Sequence, residues 1–176
     1  MIESTITYLI ALSLAQWVGI GAYFIGLVAF TRQNGNHFKF ILIICQAVIC
    51  LHFFMMGAIP GAISAGLSCA RTYTSTRTNS SLVMWVFITL VWLLGLYNLN
   101  HSYELLTMLG ASIATYGMFK FKGPLLRFTV LLCSVCWLTH NLLLGSIGGT
   151  LMETSFIIVN GITIFRLRRS QTHSIV

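Results

Sequence analysis

The chain has 176 residues, 57% of them hydrophobic and only 7% charged, at a mean hydropathy of +0.88. A soluble domain carries about a quarter of its residues as charges, so this composition excludes one and places the chain in a membrane. At ~20 apolar residues per crossing, the length leaves no room for a separate aqueous enzyme domain beside the spans. Ten Lys and Arg against three Asp and Glu give a net charge of +7. In a membrane chain that balance reports orientation before it reports a nucleic-acid partner, and none is expected.

Seven apolar stretches follow in chain order: Tyr8–Thr31, Lys39–Ile59, Gly61–Thr76, Ser81–Asn98, Tyr103–Phe119, Leu125–Ser146 and Thr150–Phe165. Each reads as a spanning helix, which predicts an all-α polytopic membrane protein with seven transmembrane helices. The first has Glu3 where a secretory leader has positive charge, and its apolar run outlasts a leader's, so it is expected to stay as an uncleaved helix. The third is the most polar, with Ser64, Ser68, Arg71, Thr72, Thr74 and Ser75, and is expected inside the bundle rather than against lipid.

With the N-terminus outside, all ten basic residues fall on or near one side. Arg32 and Lys39 lie at the first inner loop, Arg71 and Arg77 at the second, Lys120, Lys122 and Arg127 at the third, and Arg166, Arg168 and Arg169 in the tail. Glu3, Glu104 and Glu153 fall on the other half. An even number of spans breaks this segregation, so the chain reads as N-out and C-in, with a basic cytoplasmic face suited to anionic lipid headgroups.

The first three spans and the last three share a skeleton. Gly19 and Gly26 match Gly110 and Gly117 at an offset of 91 residues. After a loop shorter by three, the offset becomes 88: Lys39-Phe40 over Arg127-Phe128, Cys45 over Cys133, His52 over His140, Gly57 over Gly145, and the turn Pro60-Gly61 over Gly148-Gly149. Collinear Gly, basic and His landmarks indicate an internal repeat. Residues 1–80 are then a first triple-helix repeat, 81–100 a linker helix, 101–169 a second repeat and 170–176 a cytoplasmic tail. One linker helix gives both triplets the same orientation, a parallel 3+1+3 arrangement about an axis along the membrane normal.

The stretches His52-Phe53-Phe54, Arg71-Thr72, Glu104-Leu105-Leu106, Lys122-Gly123, His140-Asn141, Gly145-Ser146-Ile147-Gly148-Gly149-Thr150, Glu153 and Asn160-Gly161 resemble the YgjV-type bacterial inner-membrane proteins over nearly the whole chain. That resemblance implies the bacterial inner membrane. More remotely, 3+1+3 resembles the SWEET and PQ-loop transporters, in which two triple-helix bundles enclose a solute path and rock between inward-open and outward-open states. The chain departs from them in having no Pro-Gln pair and only two prolines, Pro60 and Pro124, neither in mid-helix. Gly19, Gly26, Gly110 and Gly117 are candidates for hinge flexibility or for close helix packing, the commoner role.

Five residues are candidates for solute or proton contacts. His52 and His140 each precede a helix-closing Gly by five positions, ~7–8 Å below the outer end at 1.5 Å per residue. Glu153 begins the return helix at similar depth. An ionisable group inside a span raises a functional hypothesis by default, and two histidines beside a carboxylate suit proton relay or sensing. The structural alternative is that His140 and Glu153 satisfy one another. Arg71 and Asn160 each stand six residues before a basic residue, Arg77 and Arg166. The SWEET resemblance places an Asn of this helix in each half of the pocket, which Asn160 fits and Arg71 replaces. An arginine there favours a carboxylate-bearing ligand through paired N–H donors, while the alternative is snorkelling to headgroups.

Cys133, Cys136 and His140 share a helix face, but buried cysteines act mostly as small apolar groups and no carboxylate completes a set, so neither metal nor cofactor is expected. Five cysteines within spans also argue against disulfides. Trp17, Tyr23, Trp85, Trp92, Tyr97, Tyr103 and Trp137 suit interfacial anchoring or packing better than ligand stacking. No phosphate loop, nucleophile elbow, catalytic carboxylate pair or zinc-protease motif occurs, so the chain does not read as an enzyme. The sequence predicts passage of a small polar solute between the repeats. The alternative is a closed bundle acting as scaffold, assembly factor or sensor. The oligomeric state stays open.

Overall fold

The computed structural model describes residues 13–30, 35–121 and 123–173. Glu3, Arg32, Lys122, the start of the first span and the last three tail residues lie outside these. The described chain is all-helical: α1 Leu14–Phe30, α2 Gly35–Met55, α3 Ile59–Thr74, α4 Ser81–Tyr97, a 3-10 turn Ser102–Glu104, α5 Leu105–Lys120, α6 Gly123–Leu144 and α7 Ile147–His173. These match the seven expected spans in order. The largest difference is α7, which starts three residues earlier than Thr150 and runs on through the basic segment to His173.

The chain ends its helices by sharp local signals. Gly57 and Gly145 both adopt φ 75°, a left-handed conformation open to glycine without penalty. Around Gly57, the Gly57 N–H donates to the Phe54 carbonyl at 3.1 Å and Ala58 N–H to Phe53 at 3.0 Å. Around Gly145, Gly145 N–H donates to Leu142 at 3.2 Å and Ser146 N–H to Asn141 at 2.9 Å. Both are the six-to-one and five-to-two bonds that satisfy the last carbonyls of a helix. Pro60 opens α3 in its first turn, where a missing N–H costs nothing. At the α4–α5 turn the buried Glu104 carboxylate accepts from the N–H groups of Asn100 and His101, each at 2.9 Å.

Consecutive helices pack as antiparallel neighbours, α1 on α2, α2 on α3, α5 on α6 and α6 on α7, and two further pairings, α3 with α5 and α7 with α1, close six helices into a ring. Helix α4 stands outside it and packs against α3 and α5. Its buried residues, Met84, Val91 and Gly95, form one narrow stripe, and a Cβ on Gly95 would collide with the Met108 thioether. The remainder of α4 turns Leu82, Trp85, Leu93 and Tyr97 outward.

Polarity is distributed inside out. His52, Ser64, Arg71, Thr107, Ser134, His140, Asn141 and Glu153 are buried, while Phe24, Phe40, Phe54, Leu142, Leu143 and Phe165 are exposed. Water would penalise such a surface and hydrocarbon does not. Leu125–Leu144 is 20 residues long with a mean hydropathy of 1.4, and Ser81–Tyr97 is a shorter apolar helix of 17 residues, at the short end of the ~17–25 that cross a bilayer. Polar α3 is flanked by α2, α4 and α5 and buries Ser64, Arg71 and Thr72, as its composition requires.

Candidate functional site

The ring encloses a cavity of about 150 Å3. Helix α2 lines it with Leu42, Cys45, Gln46, Ile49 and Phe53, and α6 with Val130, Cys133, Ser134, Trp137 and Asn141. Each member of the second set lies 88 residues after its counterpart in the first. The same five helical positions of the two middle helices therefore face one space. From α3 come Ala65, Ser68 and Arg71, from α5 Ala111, Ala114 and Met118, and from α7 Met152, Glu153 and Phe156.

Two opposite charges break this regularity. Arg71 is 3% exposed; its Nη1 donates to Thr115 Oγ1 at 3.2 Å, and its Nε has no partner. A guanidinium has five N–H donors, so one long bond leaves most of its capacity directed at the cavity. Glu153 is 7% exposed, with the Ser134 hydroxyl beside its carboxylate. Offset by 88, Glu153 stands over Ala65 and Arg71 over Val159, so each triplet contributes one charge without a counterpart. No ion pair joins the two.

The histidines lie beyond one end of the cavity. His52 is fully buried and doubly bonded: Nδ1 lies 2.7 Å from the Ala15 carbonyl and Nε2 2.7 Å from Ser146 Oγ. Ser146 Oγ also accepts the Gly149 N–H at 3.1 Å, capping α7. His140 is equally buried, yet neither ring nitrogen makes a well-formed hydrogen bond, the Asn141 side chain being its polar neighbour. It is held among rings instead, edge-on to Phe53 at 5.4 Å and to Trp137 at 5.9 Å, with Tyr103 at 5.8 Å. Phe53 stacks on Trp137 at 5.5 Å, so buried aromatics plug the cavity at its histidine end. At the opposite end Leu42, Met118 and Val130 are only part-buried.

One of the two bonds that His52 has and His140 lacks is explained locally. Their turns share one backbone geometry, but the position that carries the Ser146 hydroxyl in one carries Ala58 in the other, where α3 has no side-chain cap. His140 therefore meets no hydroxyl of the kind that completes His52. A bond between His140 and Glu153 is not formed.

Of the five candidate contacts, Arg71 and Glu153 line the cavity, whereas His52 and His140 sit at its plugged end. Asn160 is buried but donates through Nδ2 to the Phe156 carbonyl of its own helix at 2.9 Å and does not line the cavity. Gln46, Ser134 and Asn141 line it and were not singled out from the sequence. The signal was present: Gln46 and Ser134 are the residues next to the matched pair Cys45 and Cys133. Gln46 is fixed by Thr72 Oγ1 at 3.0 Å, while Asn141 keeps its Oδ1 unpartnered.

The four landmark glycines have no unusual φ. A Cβ on Gly19 would press on the His52 ring at 2.8 Å, on Gly110 against Trp137 at 3.1 Å, and on Gly117 into Thr129, but on Gly26 would make ordinary contacts at 3.5–3.6 Å. The five cysteines are free thiols, and among the described residues no three His, Cys, Asp or Glu groups gather as a metal site. Trp17, Trp85 and Tyr97 face outward, and Trp92 Nε1 donates to Ser112 Oγ at 2.9 Å.

A family model described as a bacterial inner membrane protein, Imp-YgjV, matches residues 13–171. The chain is also 40% identical over 162 residues to inner membrane protein YgjV of Escherichia coli (strain K12), covering 92% of this chain and 88% of that protein. No solved structure matches. An all-helical chain with an apolar exterior, matched along nearly its whole length, belongs to the Imp-YgjV family of bacterial inner membrane proteins.

Proposed function

We propose that the protein is a carrier that passes a small polar solute through the cavity between two parallel triple-helix repeats, α1–α3 and α5–α7, with α4 as linker. The observation that carries this reading is the lining: α2 and α6 present the same five positions, offset by 88, to one shared space. Exchanging the triplets maps the helix pairings onto themselves, since the α3–α5 contact becomes the α7–α1 contact. A two-fold framework around a mostly apolar cavity that holds Arg71, Glu153 and Gln46 suits alternate opening toward either face.

Orientation follows the charges. Exposed Arg77 and Lys120 lie at the end opposite the histidine turns, where Lys120 Nζ donates to Ser81 Oγ at 2.6 Å. With that end cytoplasmic, the chain is N-out and C-in, the basic residues meet anionic headgroups, and the aromatic plug closes the outer side. His140 supports a functional site further. A buried imidazole with two unmet nitrogens costs stability, and retaining one makes sense where it gates or exchanges protons with a passing solute.

The plug also gives a second reading some ground: a bundle sealed by Phe53 and Trp137 suits a scaffold, assembly factor or sensor. Solute flux into liposomes separates the two. Vesicles holding the purified protein are expected to take up at least one small polar solute faster than protein-free vesicles, and Arg71→Met is expected to slow that uptake at least tenfold. Folded protein that moves none of a panel of sugars, amino acids, carboxylates and nucleosides supports the closed bundle instead.

A further inference from the structure

We propose that the central cavity takes a small zwitterion, with its carboxylate on the Arg71 guanidinium and its ammonium on the Glu153 carboxylate. The proposal names a substrate class for the carrier reading and rests on it for transport, though not for binding. Arg71 and Glu153 are both more than nine-tenths buried, face one cavity from different triplets and form no ion pair. A buried charge is costly unless paired and hydrogen-bonded. Arg71 has a single 3.2 Å bond to a hydroxyl that already donates to Ala111 O at 2.6 Å, and its Nε has nothing. An anionic ligand answers Arg71 and leaves Glu153 facing a second negative charge. A cation does the reverse, and an uncharged polyol pairs with neither. A molecule with both signs compensates both walls at once.

Size and the remaining lining narrow the class. A cavity of about 150 Å3 is the size that holds benzene in an engineered protein core, and alanine has as many non-hydrogen atoms as benzene. Phe53, Trp137, Ile49 and Met152 offer an apolar wall for a short side chain, and the unpartnered Asn141 Oδ1 adds an acceptor for an ammonium N–H. Small amino acids fit.

Calorimetric titration of the full-length protein in lipid nanodiscs tests this, using glycine, alanine and β-alanine against propionate, which lacks the ammonium, and ethylamine, which lacks the carboxylate. At least one zwitterion is expected to bind ten-fold or more tightly than either single-charge analogue. Glu153→Gln is expected to weaken the zwitterion at least tenfold and leave propionate unchanged or tighter. Arg71→Gln is expected to weaken both zwitterion and propionate, and Arg71→Lys, which keeps the charge if the glutamine variant does not fold, to retain measurable binding. Propionate matching the zwitterions in the unaltered protein overturns the proposal in favour of an anion site, as does the absence of zwitterion binding to folded protein. Binding without liposome flux removes the carrier reading and keeps the zwitterion site. Flux of an uncharged solute without zwitterion binding does the opposite.

Discussion

At the scale of single residues, the two histidines are the most informative pair in the molecule. They occupy matched positions, are buried to the same degree, and differ in two bonds: the Ala15 carbonyl and the Ser146 hydroxyl answer His52, whereas Ala58 stands at the position matching Ser146 in the other repeat. His52→Leu deletes two buried bonds and is expected to destabilise the protein by about 1–3 kcal/mol. His140→Leu removes ring nitrogens that make no well-formed bond, so stability is expected to hold or rise by ~1 kcal/mol. Thermal unfolding of both variants in one detergent checks this, and equal losses would show that His140 has a partner in the membrane. The sequence located both histidines through spacing and the cost of burying them. It could not rank them, because the difference lies partly in a residue six positions further on that contacts across the ring. Asn160 shows the opposite limit: its side chain bends back to its own helix, a local choice that residue type does not reveal.

Among the elements, the turns at Gly57 and Gly145 share a backbone and differ in their capping. Ala58→Ser installs in the first turn the hydroxyl that Ser146 provides in the second. It is expected to cap α3, worth about 0.5–2 kcal/mol, and to offer His140 its missing partner. A raised Tm with slowed solute flux is the expected outcome, and an unchanged Tm would show that the two turns are not equivalent. Helix order and number were legible because hydropathy and glycine punctuation act locally. The ends were less so: α7 starts before Thr150 because Ser146 caps it, and extends past Phe165 because helix propensity continues where apolar character stops, and hydropathy reads neither. The 3-10 turn at Ser102–Glu104 depends on a carboxylate folding back onto two N–H groups, which no periodicity signals.

For the whole molecule, the proposed parallel arrangement of seven spans predicts that the two ends of the chain lie on opposite sides of the membrane. Green fluorescent protein fused after Val176 is expected to fluoresce in bacterial cells, and alkaline phosphatase fused there to stay inactive. The reverse result would invert the proposed orientation. The segregation of basic residues made this reading available from the sequence. The cavity was not available in the same way, since its lining draws on five helices and emerges only when the ring closes. Even so, the 88-residue offset already held half of it: once Cys45 was matched to Cys133, Gln46 and Ser134 followed.

The ring closes at two joints, and they are built differently. Between α1 and α7 a Cβ on Gly148 would run into the backbone of Gly19, and Gln16 clasps the far turn by donating to the Gly145 carbonyl at 2.7 Å and accepting the Ile147 N–H at 3.0 Å. Between α3 and α5 the contacts are long hydroxyl bonds, Ser64 to Thr107 at 3.4 Å and Arg71 to Thr115 at 3.2 Å. Backbone pressed on backbone resists separation more than shared hydroxyls do. The molecule is thus bound like a book, with its spine at the glycines and its fore-edge at the threonines. On the proposed carrier reading, helix α4, lying across that edge against α3 and α5, is the strap that limits how far the covers part.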